Sequence, residues 1–429
     1  RRPAVPAALA RMADDAVLDN GREAAPFRTP APSPSLPQPT TKADITCRPS
    51  DLTKVRAISR GAHSLVWLVM LRSTGEGGRY FALKTYSKER LTRTGEAKHV
   101  LREKEALRAL QPHAFMVSLH ATFHDATTVY LLMSLGLGGD LRGILLRHQR
   151  RRSPMDESAV AFHVATLVLV LGHLHECGFA YRDLKPENVL IDSHGYALLC
   201  DFGTAVHLGE AGRAITVVGT WEYAAPEQLR EMGSTMAADW WALGVIALEC
   251  LCGETPFPSG DEDNQLAVLQ AIDDFVRSQS VPRSADDGSM VDPASCSHHL
   301  ARLSDCAHEL VHAMLQPNES DRWATVGEGR IRSQPFLAGI DWSLLMARQM
   351  EPPSVPALLG DADTRNFSHC SLAEGPLDTQ VGVPLDAGVL SSRSSPGAEI
   401  NSDSDSYTCD RQTKRQRADA NSKDFWEGF

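Results

Sequence analysis

Tyr181-Arg182-Asp183-Leu184-Lys185-Pro186-Glu187-Asn188, followed thirteen residues later by Asp201-Phe202-Gly203, is the stretch that decides how this 429-residue chain is read. Moving a phosphoryl group asks little covalent chemistry of a protein. It needs an acceptor for the attacking hydroxyl's proton, cations facing the phosphates, and oxygen ligands for a divalent metal. Asp183, Lys185, Asn188 and Asp201 supply that set within two short segments.

Upstream, β-branched and aromatic runs at Val66–Met70 and Tyr80–Leu83 flank the Gly-rich turn Ser73–Gly78, which predicts an antiparallel hairpin. Val100, Leu101, Ala106, Leu107 and Leu110 recur at helical spacing, with Glu103 among them. Two more strands are expected at Ser118–Phe123 and Thr128–Met133. Helical patterns then run from Gly136-Leu137-Gly138-Gly139 to about Phe336. The fold class is α+β: a small antiparallel sheet lobe with one main helix (about 51–133), then a larger helical lobe (about 138–336).

Composition sets limits. Hydrophobic content of 42% and charged content of 23% suit a globular domain with its own core. The net charge of -11 disfavours nucleic acid as a partner. Nine irregularly spaced cysteines read as reduced thiols, and hence a cytoplasmic or nuclear address. The apolar stretch Val164–Leu171 is interrupted and too short to span a bilayer. Cys296, His298, His299, Cys306 and His308 match no standard zinc spacing and are read as loop and helix surface.

With these residues in view, the chain resembles the eukaryotic protein kinases, and its Tyr-Arg-Asp resembles the basophilic AGC branch that includes the cyclic-nucleotide-dependent enzymes. The resemblance covers about residues 51–429, agrees poorly at 259–300, and implies ATP and Mg²⁺ as cofactors. It implies Asp183 as catalytic base, Lys185 at the γ-phosphate, and Asn188 and Asp201 on metal. Lys84, in Phe81-Ala82-Leu83-Lys84, would bind phosphates with Glu103 as its helical partner. The phosphate-covering loop Ser59-Arg60-Gly61-Ala62-His63-Ser64 keeps one of three glycines, which predicts weaker nucleotide binding because Ser59 and Ser64 each add a Cβ. Adenine would lie between Val66, Ala82 and Leu190, with Met133 at the rear.

The same resemblance makes Asp140, Glu187 and Glu249 acids for arginine or lysine upstream of a substrate Ser/Thr, with Thr220 at the substrate and Thr216 as a regulatory phosphosite. Glu227 and Arg322 would form a buried ion pair. A cyclic-nucleotide-binding regulatory subunit is an implied partner, with control in cis from an upstream module as the alternative. The chain begins at Arg1 rather than Met, as a fragment would. Residues 1–50, Pro-rich, are expected to be disordered. Residues 337–429 are expected to form a partly disordered C-terminal extension, whose closing Phe425–Phe429 docks beside the Glu103 helix. The alternative to an enzyme is a kinase-fold nucleotide-binding scaffold with little or no transfer.

Overall fold

The computed structural model describes residues 49–61, 63–72, 78–209, 212–216, 218–258, 264–279, 303–327, 329–367 and Trp426. Strands β1 (Leu52–Arg60), β2 (Ser64–Leu71) and β3 (Arg79–Ser87) lead into helices α1 (Lys88–Thr94) and α2 (Ala97–Leu110). Strands β4 (Leu119–His124) and β5 (Thr128–Met133) follow. These strands form one antiparallel sheet in the order β1-β2-β3-β5-β4. The expected hairpin is β2–β3, and the α+β, two-lobed architecture is as read from the sequence. Helix α1 was not anticipated; Ser87 caps it by accepting the Arg90 N–H, and Gly95 closes it at φ 75°.

The larger part contains β6 (Gly139–Asp140), α3 (Leu141–Arg151), α4 (Glu157–Glu176), β7 (Phe179–Ala180), β8 (Val189–Ile191), β9 (Ala197–Leu199) and β10 (Val206–His207). It continues through α5 (Pro226–Leu229), α6 (Ala237–Cys252), α7 (Gln265–Gln279), α8 (Asp305–Met314), α9 (Glu319–Val326) and α10 (Trp342–Met346). Helix α4 corrects the reading of Val164–Leu171: it runs 20 residues and is apolar and long enough to cross a membrane, yet most of it is buried. It packs against α6 and β9, so its apolar residues belong to the protein core. Helix α7 lies inside 259–300, where the resemblance was poor; residues 259–263 and 280–300 are outside the described set.

After α10 the chain crosses both lobes. Arg348 donates to the Ala114 carbonyl (2.9 Å) and pairs with Asp192, and Tyr196 donates its hydroxyl to the Met350 carbonyl. Further on, Asn366 Nδ2 donates to the Leu137 carbonyl (3.1 Å) and Arg56 donates to Thr364 Oγ1 (3.2 Å). Trp426 is buried with the Lys88 ammonium 5.6 Å from its ring, beside α1. Residues 1–48 and 368–425 lie outside the described residues.

Arg322 is fully buried and donates to Glu227, to the Ala237 carbonyl (2.8 Å) and to the Gln316 carbonyl (2.7 Å), tying α5, α6 and α9 together. Removing one partner leaves the other charge in the interior. Arg322→Met is therefore expected to lower unfolding stability by about 3–5 kcal/mol, read as a shifted denaturant midpoint. A loss below about 1 kcal/mol, the range of an exposed pair, would show that the pair is not a staple.

Candidate active site

The sheet register builds the upper wall of the site. Val66 lies across from Lys84, and Ala82 lies across from Met133. Because alternate residues of a strand share a face, Val66, Ala82, Lys84 and Met133 stand on one side of the sheet. Leu190 lies on β8, where it pairs with Asp140. The chain between the lobes passes so close that a Cβ on Gly136 would lie 2.8 Å from Leu190 Cβ. Val66, Ala82, Met133 and Leu190 are the apolar residues of the expected adenine slot.

Lys84 is buried at the back of this slot and holds two carboxylates. Its Nζ lies 2.7 Å from Glu103 of α2 and 3.0 Å from Asp201, which faces solvent. Tyr86 donates its hydroxyl to the second Glu103 oxygen at 2.5 Å. Burial alone would depress the lysine, but Asp201 and Glu103 hold its pKa well above the usual range. Neighbouring groups that shield the Asp201 carboxyl from part of the solvent would raise it, and the Lys84 ammonium instead keeps it below the ordinary value. Asp201 adopts φ 55°, and Phe202 after it is buried edge-on against Tyr181.

Beneath the slot, Asp183 collects donors. Lys185 Nζ lies 2.9 Å from one oxygen, Thr220 Oγ1 donates to the other (3.2 Å), and Asn188 Nδ2 donates to both its carboxylate (3.2 Å) and its carbonyl (2.8 Å). Burial raises its carboxyl against the pull of Lys185. Thr220 also receives the Lys185 ammonium at 2.8 Å. It can reach this far because Gly219, at φ 113°, passes where a Cβ would sit 2.9 Å from the Arg182 carbonyl.

The Tyr181–Asn188 segment is fixed from below by a residue to which the sequence reading gave no role of its own. Asp239, buried at the start of α6, accepts the backbone N–H groups of Tyr181 (2.9 Å) and Arg182 (2.7 Å) and lies 2.8 Å from His175 Nε2. Arg182 is thereby held at φ 73° with its guanidinium on the Thr204 carbonyl (2.7 and 2.9 Å) and on Thr216 Oγ1 (2.9 Å). Burial lowers that guanidinium to about 10, and the nearby Arg102 charge pushes the same way.

A divalent metal fits the donors present. Asp201 offers a carboxylate, and Asn188, whose Nδ2 is committed to Asp183, offers its amide oxygen. The Cys200 N–H, donating to the Asn188 carbonyl at 3.0 Å, ties the two together. Both are hard oxygen ligands of the kind magnesium takes together with waters and phosphates. No group of three or more His, Cys, Asp or Glu suited to a metal occurs among the described residues.

The expected phosphate loop joins β1 to β2. Ser59 pairs with Val66 and Arg60 with Leu65, and the Gly61 N–H donates to the Ser64 carbonyl at 2.9 Å. Ser64 Oγ turns toward Gly61, where an added Cβ would meet it at 2.8 Å. His63 is half-buried, and Ala62 lies outside the described residues. Of the three expected substrate acids, Asp140 accepts the Gly143 N–H at 2.7 Å as the cap of α3. Glu187 and Glu249 do not stand free: both are bonded to Arg142. Nothing in the sequence signalled that arginine, whose partners lie 45 and 107 residues away.

A lysine bridging a helical glutamate and an aspartate, near a second aspartate bonded to a lysine, a threonine and an asparagine, is the arrangement of a phosphoryl-transfer site of the protein kinase type. Known proteins agree with that class. The protein kinase domain family matches residues 52–334. Serine/threonine protein kinase ypkA of Aspergillus fumigatus is 33% identical over 337 residues, 78% of this chain and 48% of that protein. SCH9 of Saccharomyces cerevisiae is 33% identical over 323 residues, 74% and 36% respectively. The human cAMP-dependent protein kinase catalytic subunit PRKX is 30% identical over 380 residues, 88% of this chain and 95% of that protein. The chain belongs to the protein kinase family, in its AGC-type serine/threonine branch. It spans about half or less of the length of ypkA and SCH9.

Replacing the ammonium separates these roles. Lys84→Met is expected to cut phosphate transfer by about a hundredfold or more. It should also move the acid limb of the pH–rate profile to higher pH, because the carboxyl of Asp201 loses the cation that holds its pKa down. An unmoved acid limb would show that Lys84 does not control that carboxylate.

Proposed function

We propose that this chain is a serine/threonine protein kinase that moves the γ-phosphoryl of ATP to a Ser or Thr hydroxyl of a protein preceded by basic residues. The observation that carries the reading is the assembled set: Lys84 on Glu103 and Asp201, with Asp183, Lys185, Asn188 and Thr220 bonded to one another nearby. Lys84 and the loop around Gly61 bind the nucleotide's phosphates. Asn188 and Asp201 hold magnesium, which when bound neutralises charge on the phosphates. Asp183, its carboxyl raised by burial, orients the acceptor hydroxyl and takes its proton. Lys185 balances the charge that builds on the transferred group, and Thr220 keeps Asp183 and Lys185 in register.

A buried arginine with no carboxylate on its guanidinium among the described residues, sitting on Thr216 Oγ1, supports Thr216 as a regulatory phosphosite. Phosphate there gives Arg182 a charge-assisted partner and fixes the segment that carries Thr220. Cyclic-nucleotide-linked control, and a cyclic-nucleotide-binding regulatory partner, rest on the likeness to PRKX across nearly its whole length.

The test is ATP- and magnesium-dependent transfer to Ser/Thr peptides with upstream arginine, by wild type and Asp183→Ala, with Thr216 followed by mass spectrometry. Transfer that Asp183→Ala abolishes is expected. Thr216→Ala is expected to lower kcat by about tenfold or more, since one charge-assisted contact to a buried arginine is lost. If Thr216-phosphorylated wild type binds ATP yet transfers to no member of a diverse peptide set, the scaffold reading replaces this one.

A further inference from the structure

The acidic subsite assigned to a substrate arginine already contains one. Arg142, on the first turn of α3, donates Nε–H to Glu187 Oε1 at 2.8 Å and Nη1–H to Glu249 Oε1 at 2.6 Å, and its Nη2 donates to the Tyr223 hydroxyl. Glu249 is fully buried and also accepts the Tyr223 hydroxyl (2.7 Å) and Thr255 Oγ1 (3.1 Å). A planar guanidinium forked between two carboxylates is the geometry in which a protein recognises arginine in general. Here the recognition is satisfied from within the chain. Glu187 remains half-exposed, and Asp140 makes no ion pair among the described residues.

We propose that Arg142 is a specificity-determining residue: it fills the Glu187–Glu249 subsite, so the chain reads one upstream arginine, through Asp140, rather than two. The inference rests on the kinase reading above. A second substrate guanidinium can enter only by breaking the bonds that Arg142 makes, and it meets a pocket whose two negative charges are already opposed by a positive one. Competition of this kind discriminates by weakening the wrong partner rather than by improving the right one.

The test uses the full chain and labelled peptides carrying arginine singly or in pairs at successive positions upstream of the acceptor, with affinity read by fluorescence anisotropy and turnover by phosphate transfer. Wild type is expected to gain from one arginine and by less than about threefold from a second. Arg142→Met is expected to gain about tenfold or more from the second, the worth of one charge-assisted pair, and the added change Glu187→Gln is expected to remove that gain. Arg142→Gln, which keeps hydrogen bonding to the carboxylates without the charge, repeats the comparison should the methionine variant unfold. A second arginine that helps wild type as much as the variants, or helps wild type more, overturns the proposal. Anisotropy needs no turnover, so absent transfer with all peptides would count against the kinase reading, while the binding series still decides what Arg142 does.

Discussion

One buried ammonium ties the two lobes together. Lys84 comes from the sheet, Glu103 from the helix packed beside it, and Asp201 from the larger lobe, yet both carboxylates lie within 3.0 Å of the same nitrogen. A charge taken that far from water is tolerated only when it is paired, and each partner depends on the others for its own ionisation. Helix α2 therefore cannot rotate outward without stranding Glu103, which is almost wholly buried. The position of Asp201 and that of helix α2 are one constraint.

A second constraint acts from below. Arg182 and Asp201 both occupy left-handed backbone that non-glycine residues adopt at a cost, of order 1–3 kcal/mol each. Asp239 compensates at the first of these by accepting two consecutive backbone N–H groups, and Arg182 then reaches Thr204 and Thr216. The same loop thus connects Asp183 to the segment carrying Thr220. A phosphate at Thr216 would act through this connection rather than by touching the reacting atoms.

Much of this was legible in the sequence for physical reasons. The strands of the small lobe announce themselves by alternation, and the catalytic groups are close together in the chain, so spacing alone brings Asp183, Lys185 and Asn188 into reach. Lys84 and Glu103 are separated by nineteen residues, and their pairing followed from resemblance rather than periodicity. What stayed hidden was long-range and charged. Asp239 sits inside an apolar run and looks like a helix-start residue, and its partners are 57 and 58 residues away. Arg142 reads as an ordinary polar position on an amphipathic helix. Helix α4 showed an interrupted apolar stretch because Thr166, donating to the Phe162 carbonyl, satisfies its hydroxyl within the helix and so sits in the core at no cost to continuity.

The central claim is that a metal-bound nucleotide is held by Lys84 and Asp201 despite the loss of two loop glycines. Titration calorimetry of ATP into the chain, with and without magnesium, in wild type and Asp201→Ala, tests it most directly. The account predicts magnesium-dependent binding in wild type that Asp201→Ala removes. Binding equally tight without magnesium, or unaffected by Asp201→Ala, would contradict it.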